Sequence, residues 1–575
     1  MDRRPLTPTP TAPERSIRPA TFASIAEALD NAAGQRTGIN IHSLRGELAE
    51  VLPYALLREQ AVALAARLLA SGLEAGDRVA LAADSDGDFV RAFFACQYAG
   101  LVPAPLPLPA PFGGKDVYVD HVRRMLVSAG ARAAFAPPAL AEWFSEAAGD
   151  LSVAIAGSLG DLPDAAPRSL PAPDPSSLCY LQFSSGSTRF PLGVAVTQKA
   201  LLANISAIGG AGLAIRADDR AVSWLPLYHD MGLVGMLLSS LAFQVSIDLL
   251  PTGAFVRRPG LWLDLISRGR ASVSYAPTFG YELAARRAGA SALADLDLSS
   301  WRVAGLGGDM IRPEPLRAFA QAYAPAGFEA RAFVASYGMA EATLALTLSP
   351  VGQGLRTDVV GIGPEANDGG PQPEGARTRE FALCGAVLAG HEIEVRDSKG
   401  VALPERRVGR VFARGPSLMT TYFGEPAETA KVLAADGWLD TGDLGYRLEG
   451  QLVITGRAKD LIIINGRNIW PQDLEWTAEK EIAALRSGDV AVFSVSGEIE
   501  EGVVALVQCR TSERAAREAL RAEVLGLIRA RHGLEATVVL APPHSLPQTS
   551  SGKLSRSRAR SLYLAGVFDA AAVNA

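Results

Sequence analysis

From its first hundred residues to about residue 450, the chain alternates short apolar runs with helical patterns. That alternation restricts the fold more than any other feature of the sequence. RVALAA, 78–83, has the character of a strand; 89–99 has helical spacing and stops at Gly100; Val102 opens a proline-rich extended segment, LVPAPLPLPAPF. LCYLQF, 178–183, reads as a buried strand running into SSGST, and Thr197 is placed to cap a helix with Leu201, Leu202 and Ile205 on its apolar side. Strands interleaved with helices predict a layered α/β architecture with substantial parallel sheet.

The texture changes twice. Residues 351–380 are rich in glycine, proline and charge with little periodicity, and read as a long surface insertion before a more β-rich region from Phe381 to about Arg457. After a boundary near 456–460 the tail reads strand (LIII, 461–464), helix (DLEWTAEKEIAAL), two strands (VAVFSV and VVALVQC), a long helix near 512–531 and a last strand at 536–540. That is a compact α+β unit large enough to fold as its own domain. At roughly 150 residues per domain, the 575-residue length suggests about three to four domain-sized units.

Composition excludes several functions. With 55 basic and 61 acidic side chains the net charge is −6, a poor basis for electrostatic nucleic-acid binding. Cys96, Cys179, Cys384 and Cys509 form no CxxC pair, which argues against structural zinc and fits a reducing cytoplasm. The six histidines include no HExxH. Residues 1–20 lack an apolar core segment and read as a flexible lead-in, not a secretory signal. The most membrane-like stretch, 231–247, falls short of a ~20-residue span, so a buried helix is expected and no transmembrane segment.

Several motifs carry possible chemistry. In SSGSTRFPLG, 184–193, hydroxyls and backbone N–H groups crowd around glycine between a strand and a helix, suiting a turn that holds phosphate oxygens. No Walker A loop is present, and an ordinary Ser/Gly turn explains the segment equally well. SYGMAEAT, 336–343, puts Tyr337 and Gly338 ahead of Glu341; the carboxylate could ligate Mg²⁺ and Tyr337 could stack on a purine, while a surface carboxylate is the plainer alternative. GWLDTGDLG, 437–445, sets Asp440 and Asp443 in a glycine-punctuated loop where Asp443 could accept from ribose hydroxyls, or simply make an Asx-turn. LPQTSSGKLSR, 546–556, carries Lys553 on a polar loop, either a point charge for a polyphosphate or a solvated lysine.

Taken in order, these motifs and GRAKDLIIINGRNIWPQDLEW, 456–476, resemble the adenylate-forming superfamily of acyl-CoA synthetases, luciferases and adenylation domains, from about residue 20 to 565. LQFSSGSTRFPLGV and WLPLYHDMGLVG add a closer similarity to fatty acyl-AMP ligases. The resemblance implies a large N-terminal adenylation domain (21–457, with the insertion about 351–380) and a small mobile C-terminal cap (458–575). It implies ATP and Mg²⁺, with Ser184, Ser185, Gly186, Ser187 and Thr188 as phosphate loop and Thr188 and Glu341 near the metal. By the same similarity, Gly308, Asp309 and Met310 with Ser336, Tyr337, Gly338 and Met339 form the adenine pocket. Asp443 and Arg457 contact ribose, Lys459 is the hinge, and Lys553 bridges carboxylate and α-phosphate. His229, Gly235 and the run 231–247 line an acyl tunnel, or form a core helix.

The activity so implied is conversion of a fatty acid to acyl-AMP, then transfer to an acyl carrier protein or a polyketide synthase carrier domain, the insertion restraining the cap and limiting use of coenzyme A. A fatty acyl-CoA synthetase is the alternative, and a non-catalytic adenylate-binding protein a third. Four positions depart from the family pattern: Leu192 for a usual lysine, Gln198 for a histidine, Asp309-Met310 for Glu-Pro, and Trp470 for tyrosine.

Overall fold

The structure, a computed structural model, describes residues 21–109, 114–172, 174–183, 192–287, 295–361, 378–464, 467–496, 501–548 and 554–568. The expected lead-in, 1–20, lies outside the described residues.

The expected α/β layering is present. Parallel strands Phe333–Gly338, Val303–Leu306, Val273–Ala276, Arg220–Ser223, Ser246–Leu249 and Gly38–His42 lie side by side in that order, with Leu48–Pro53 antiparallel at the edge. Every residue of Val273–Ala276 and Val303–Leu306 is buried, as strands covered on both faces require. Past Phe333–Gly338 the sheet turns antiparallel through Ala345–Leu348, Thr378–Val387, Gln451–Arg457, Leu439–Leu448, Gly409–Arg414 and Glu392–Arg396. Smaller sheets join Val102–Leu106, Arg78–Ala82, Ala131–Phe135 and Ile155–Gly157, and Thr421–Tyr422 with Gly193–Thr197 and Leu178–Phe183.

Local signals set the helix ends. Asp86 accepts a hydrogen bond from the Phe89 N–H at 2.8 Å and opens Gly87–Ala99, which Gly100 closes at φ 68°. Thr197 accepts from Ala200 N–H and opens Gln198–Ala207. Behind the sheet, Trp262, Tyr281, Trp301, Phe319 and Phe333 interlock edge to face, with Trp262–Trp301 and Tyr281–Phe319 centroids both 5.1 Å apart.

One expectation fails here. The run 231–247 is not one buried helix: a π-helix, Met231–Leu238, passes into a short α-helix, Ser239–Ala242, Gln244 turns at φ 53°, and Ser246–Leu249 is a strand. A continuous apolar run hides this break from periodicity. Within the expected insertion, Thr357–Gly361 pairs antiparallel with Thr378–Val387 in register Asp358↔Phe381; 362–377 lie outside the described residues. Among the described residues, no helix is long and apolar enough to cross a membrane, and the four cysteines are buried and free.

The tail follows its expected order: Ile462–Ile464, Pro471–Glu481, Val490–Ser496, Glu501–Gln508, Arg514–His532 and Ala536–Ala541, with Arg467–Ile469 and Arg556–Leu564 added. Its two apolar clusters draw only on residues 462–568. Charge and aromatic contacts join it to the preceding body. Arg379 Nη1 lies 2.8 Å from Asp473 Oδ1, and Lys480 Nζ lies 2.8 Å from Glu314 Oε2. The Arg379 and Arg312 guanidinium groups stand 5.4 and 5.8 Å from the Trp476 ring centroid.

Candidate active site

A cavity of about 630 Å³ opens where the parallel half of the sheet meets the antiparallel half, at the carboxyl ends of the strands. Ligands of α/β sheets bind at such positions. Tyr275, Gly308, Ser336 and Tyr337 line it from three adjacent strands and the turns that follow them. Gly305 has a steric reason to be glycine: a Cβ there would lie 2.2 Å from the Tyr275 ring.

The wall carrying Glu341 is tightly determined. Gly338 ends its strand against the Leu344 carbonyl, leaving no room for a side chain, and a 3-10 turn, Ala340–Ala342, follows. Thr343 closes that turn at φ 68°, a strained conformation for a β-branched residue, with its hydroxyl donating to Ser417 O at 2.7 Å. Glu341 Oε1 accepts from the Tyr422 hydroxyl at 2.7 Å. Burial pushes the Glu341 carboxyl above its usual range, against the opposing Tyr422 hydrogen bond.

Opposite stand strands Leu439–Leu448 and Gln451–Arg457, where Asp443 and Arg457 are register partners with Oδ1 and Nε 3.5 Å apart. GWLDTGDLG is therefore not a loop, as the sequence reading had it. Gly442 at φ 74° puts a kink into a strand whose pairing is irregular on both sides. Asp443 stands behind the wall, accepting from the Tyr337 hydroxyl at 2.7 Å. Burial raises its pKa; Arg457 and that hydroxyl oppose the rise. Burial also works against the charge of Arg457, but Asp443, Asp460 and Glu341 outweigh it and its pKa is raised.

Of the expected site residues, Gly308, Ser336, Tyr337, Gly338, Met339, Glu341, Arg457, Lys459, His229 and Gly235 all line the cavity. Asp309 does not: it is exposed and turned toward Arg556, whose charge it reinforces, while Met310 packs under Phe381 and Tyr446. Ser184, Ser185, Gly186, Ser187, Thr188 and Lys553 lie outside the described residues. The loop that holds 184–188 joins two antiparallel strands, Leu178–Phe183 and Gly193–Thr197. The helix expected straight after it begins only at Gln198, beyond the second strand. Gln198 has a packing role, with Oε1 accepting from Ile25 N–H and Nε2 donating to Gln97 Oε1.

The sequence reading missed Gln182, Tyr228, Leu344, Arg410, Tyr422 and Lys431, which also line the cavity. They stand far apart in the chain and only tertiary pairing gathers them. A second cavity of about 30 Å³ shares Ile208, Leu213 and Gly235 with the first. Two π-helical segments, Ile208–Gly212 and Met231–Leu238, carry the shared Ile208 and Gly235; such segments are frequent at functional sites.

A nucleotide-sized cavity at a sheet switch point, walled by an aromatic and a half-buried carboxylate and backed by an Asp–Arg pair, defines an adenylate-forming enzyme. The comparisons agree: the AMP-binding enzyme family profile matches residues 33–423. The chain belongs to that family, and within it groups with the fatty acyl-AMP ligases. A solved structure from work on the fatty acyl-adenylate ligases of E. coli and L. pneumophila superposes with a TM-score of 0.91 at 42% identity, covering 97% of this chain and 100% of that one. A Caulobacter vibrioides protein named "Putative acyl-CoA synthetase" is 59% identical over 97% of this chain and 98% of its own. The medium-chain-fatty-acid–[acyl-carrier-protein] ligase JamA of Moorena producens is 34% identical over 90% of each.

Proposed function

We propose that the protein converts a fatty acid and ATP to acyl-AMP and pyrophosphate, then passes the acyl group to the phosphopantetheine thiol of a carrier protein or polyketide synthase carrier domain. The carrying observation is the shape of the cavity. Its lining joins Tyr337, Glu341 and Arg457 to apolar Ile208, Leu213 and Leu344, and Ile208, Leu213 and Gly235 also line the second, smaller cavity. The name of the JamA relative supports the carrier as acceptor.

In this reading the carboxylate oxygen attacks the α-phosphorus, the bond from that phosphorus to the bridging oxygen breaks, and pyrophosphate leaves. The thiol then attacks the acyl carbonyl, and AMP leaves. Adenine would lie along Gly338 and Tyr337. Ribose would meet Asp443 and Arg457, whose pairing fixes both groups before substrate arrives. The phosphate loop at Ser184–Gly186–Thr188 and Lys553 would complete the polar end, the lysine offsetting repulsion between two anions. Lys459 lies where residues 458–575 would pivot as a cap on 21–457. His229 would stand beside the acyl entrance, its Nδ1 2.6 Å from Asp230 Oδ1.

A magnesium ion suits this wall. Glu341 offers a carboxylate, and among the described residues no three His, Cys, Asp or Glu side chains could hold a metal by themselves. Phosphate oxygens and water would supply the remaining ligands, an arrangement Mg²⁺ favours. Bound there, it would neutralise phosphate charge.

A panel of fatty acids tested with ATP, with and without coenzyme A or holo carrier protein, separates the readings. Acyl-AMP formed without coenzyme A and discharged onto carrier protein supports this one. Efficient acyl-CoA formation overturns the acceptor in favour of an acyl-CoA synthetase, which the name of the Caulobacter relative favours. No product with any acid overturns the activity altogether.

A further inference from the structure

The cavity wall contains four Lys and Arg side chains, Arg410, Lys431, Arg457 and Lys459. Three are already met by carboxylates of the same wall or its backing. Arg410 Nε lies 2.7 Å from Asp440 Oδ1, Lys431 Nζ 2.5 Å from Glu428 Oε1, and Arg457 Nε 3.5 Å from Asp443 Oδ1. Among the described residues, Lys459 makes no ion pair. Its nearest acid in the chain, Asp460, is held by Arg556 at 3.1 Å. We propose that Lys459 is a phosphate-binding residue, whose ammonium meets the phosphates of the bound nucleotide at the polar end of the cavity.

Position supports this. Lys459 sits in a 3-10 turn, Ala458–Asp460, directly after strand Gln451–Arg457. The strand exit is fixed because the Trp470 ring packs on Gly456, where a Cβ would come within 2.4 Å. Lys459 lines the cavity yet stays exposed; partial desolvation, then the neighbouring Arg457, lower its pKa, while Asp460, Asp443 and Glu341 oppose that shift. An incoming polyanion would relieve both penalties on its charge. An uncharged nucleoside would relieve neither. Leu192 lines the same cavity with an apolar side chain, so an ammonium can be returned there from a different segment.

The inference rests on the nucleotide-binding part of the proposed function, and calorimetric binding to the full chain tests it without needing turnover. For Lys459→Ala, ATP affinity is expected to fall about tenfold or more, the worth of one charge-assisted contact, while adenosine affinity stays within twofold. Lys459→Arg should keep most of the ATP affinity, and Lys459→Ala combined with Leu192→Lys should recover much of the loss. Unchanged ATP affinity in Lys459→Ala overturns the assignment, and so does an equal loss for adenosine, which marks a structural role. If no fatty acid yields acyl-AMP, the proposed activity fails, but the ATP-against-adenosine difference still decides Lys459.

Discussion

Replacing Arg379 tests how the tail is held against the body. Its side chain is 8% exposed and that of Asp473 is 12%. Its guanidinium lies 4.4 Å from the Phe381 ring centroid and 5.4 Å from that of Trp476. Arg379→Ala removes the arginine partner of a buried carboxylate, which costs about 3–5 kcal/mol. Two cation–π contacts add about 0.5–2 kcal/mol. Asp473 sits in the first turn of Pro471–Glu481, whose N-terminus returns about 0.3–1 kcal/mol. The expected cost is about 2.5–6.5 kcal/mol. A double-mutant cycle with Asp473→Leu, read by chemical denaturation, should give a coupling energy above about 1 kcal/mol. Arg379→Met with Asp473→Leu should lose little stability, since apolar replacement of a buried pair is often neutral. Hydrogen exchange should show Pro471–Glu481 losing protection first in Arg379→Ala. Single costs below about 1 kcal/mol that add within about 0.5 kcal/mol would refute the reasoning.

Glu479 provides a pH test. Burial, then Glu475, push its carboxyl up to about 8 from an ordinary 4.5, against the Val490 and Gly488 N–H groups and Arg312. The folded state therefore holds the proton more tightly, so stability is fullest below about pH 4.5 and declines as pH rises toward 8. Glu479→Gln should raise the unfolding temperature at pH 8.5 and leave it nearly unchanged near pH 4.5; a pH-independent difference counts against this. Gly235→Leu crowds the lining the two cavities share, where even a Cβ would lie 3.0 Å from Leu344 Cδ2. Acid preference should shift to shorter chains with ATP affinity intact, and an unaltered profile would remove Gly235 from the acyl path. Tyr337→Phe deletes the hydrogen bond to Asp443 and should weaken ATP binding by about two- to tenfold, from roughly 0.5–1.5 kcal/mol for such a bond; titration with ATP checks it.

The sequence made much of this visible wherever the signal was local. Capping at Thr197, the Gly100 stop and the strand–helix order of the tail all appear as expected, because each depends on residues within one turn. Long-range pairing was less legible. Asp443 reads as a loop residue because three glycines surround it, yet Arg457 and the partner strands hold it in a bulged strand. The break of 231–247 into helix and strand depends on tertiary partners. Asp248 pairs with His42 at 2.9 Å and Arg220 at 2.7 Å, residues that no window around Asp248 contains. Tyr422 escaped notice for the same reason: only the pairing of Thr421–Tyr422 with Gly193–Thr197 carries its hydroxyl to Glu341.

The choice of acyl acceptor then becomes a matter of populations. In the proposed function, chemistry at the adenylate is the same for a coenzyme A thiol and a carrier thiol, and the orientations open to residues 458–575 would be one way to separate them. A face worth about 3 kcal/mol keeps competing orientations below about 1%. The Arg379–Asp473 pair and the stacking on Trp476 reach that scale without touching the cavity. By this argument, Arg379→Ala should change the ratio of acyl-CoA to acyl-carrier product while leaving the rate of acyl-AMP formation close to that of the parent. Loss of both half-reactions in parallel would show that the face supports the fold and does not select the acceptor.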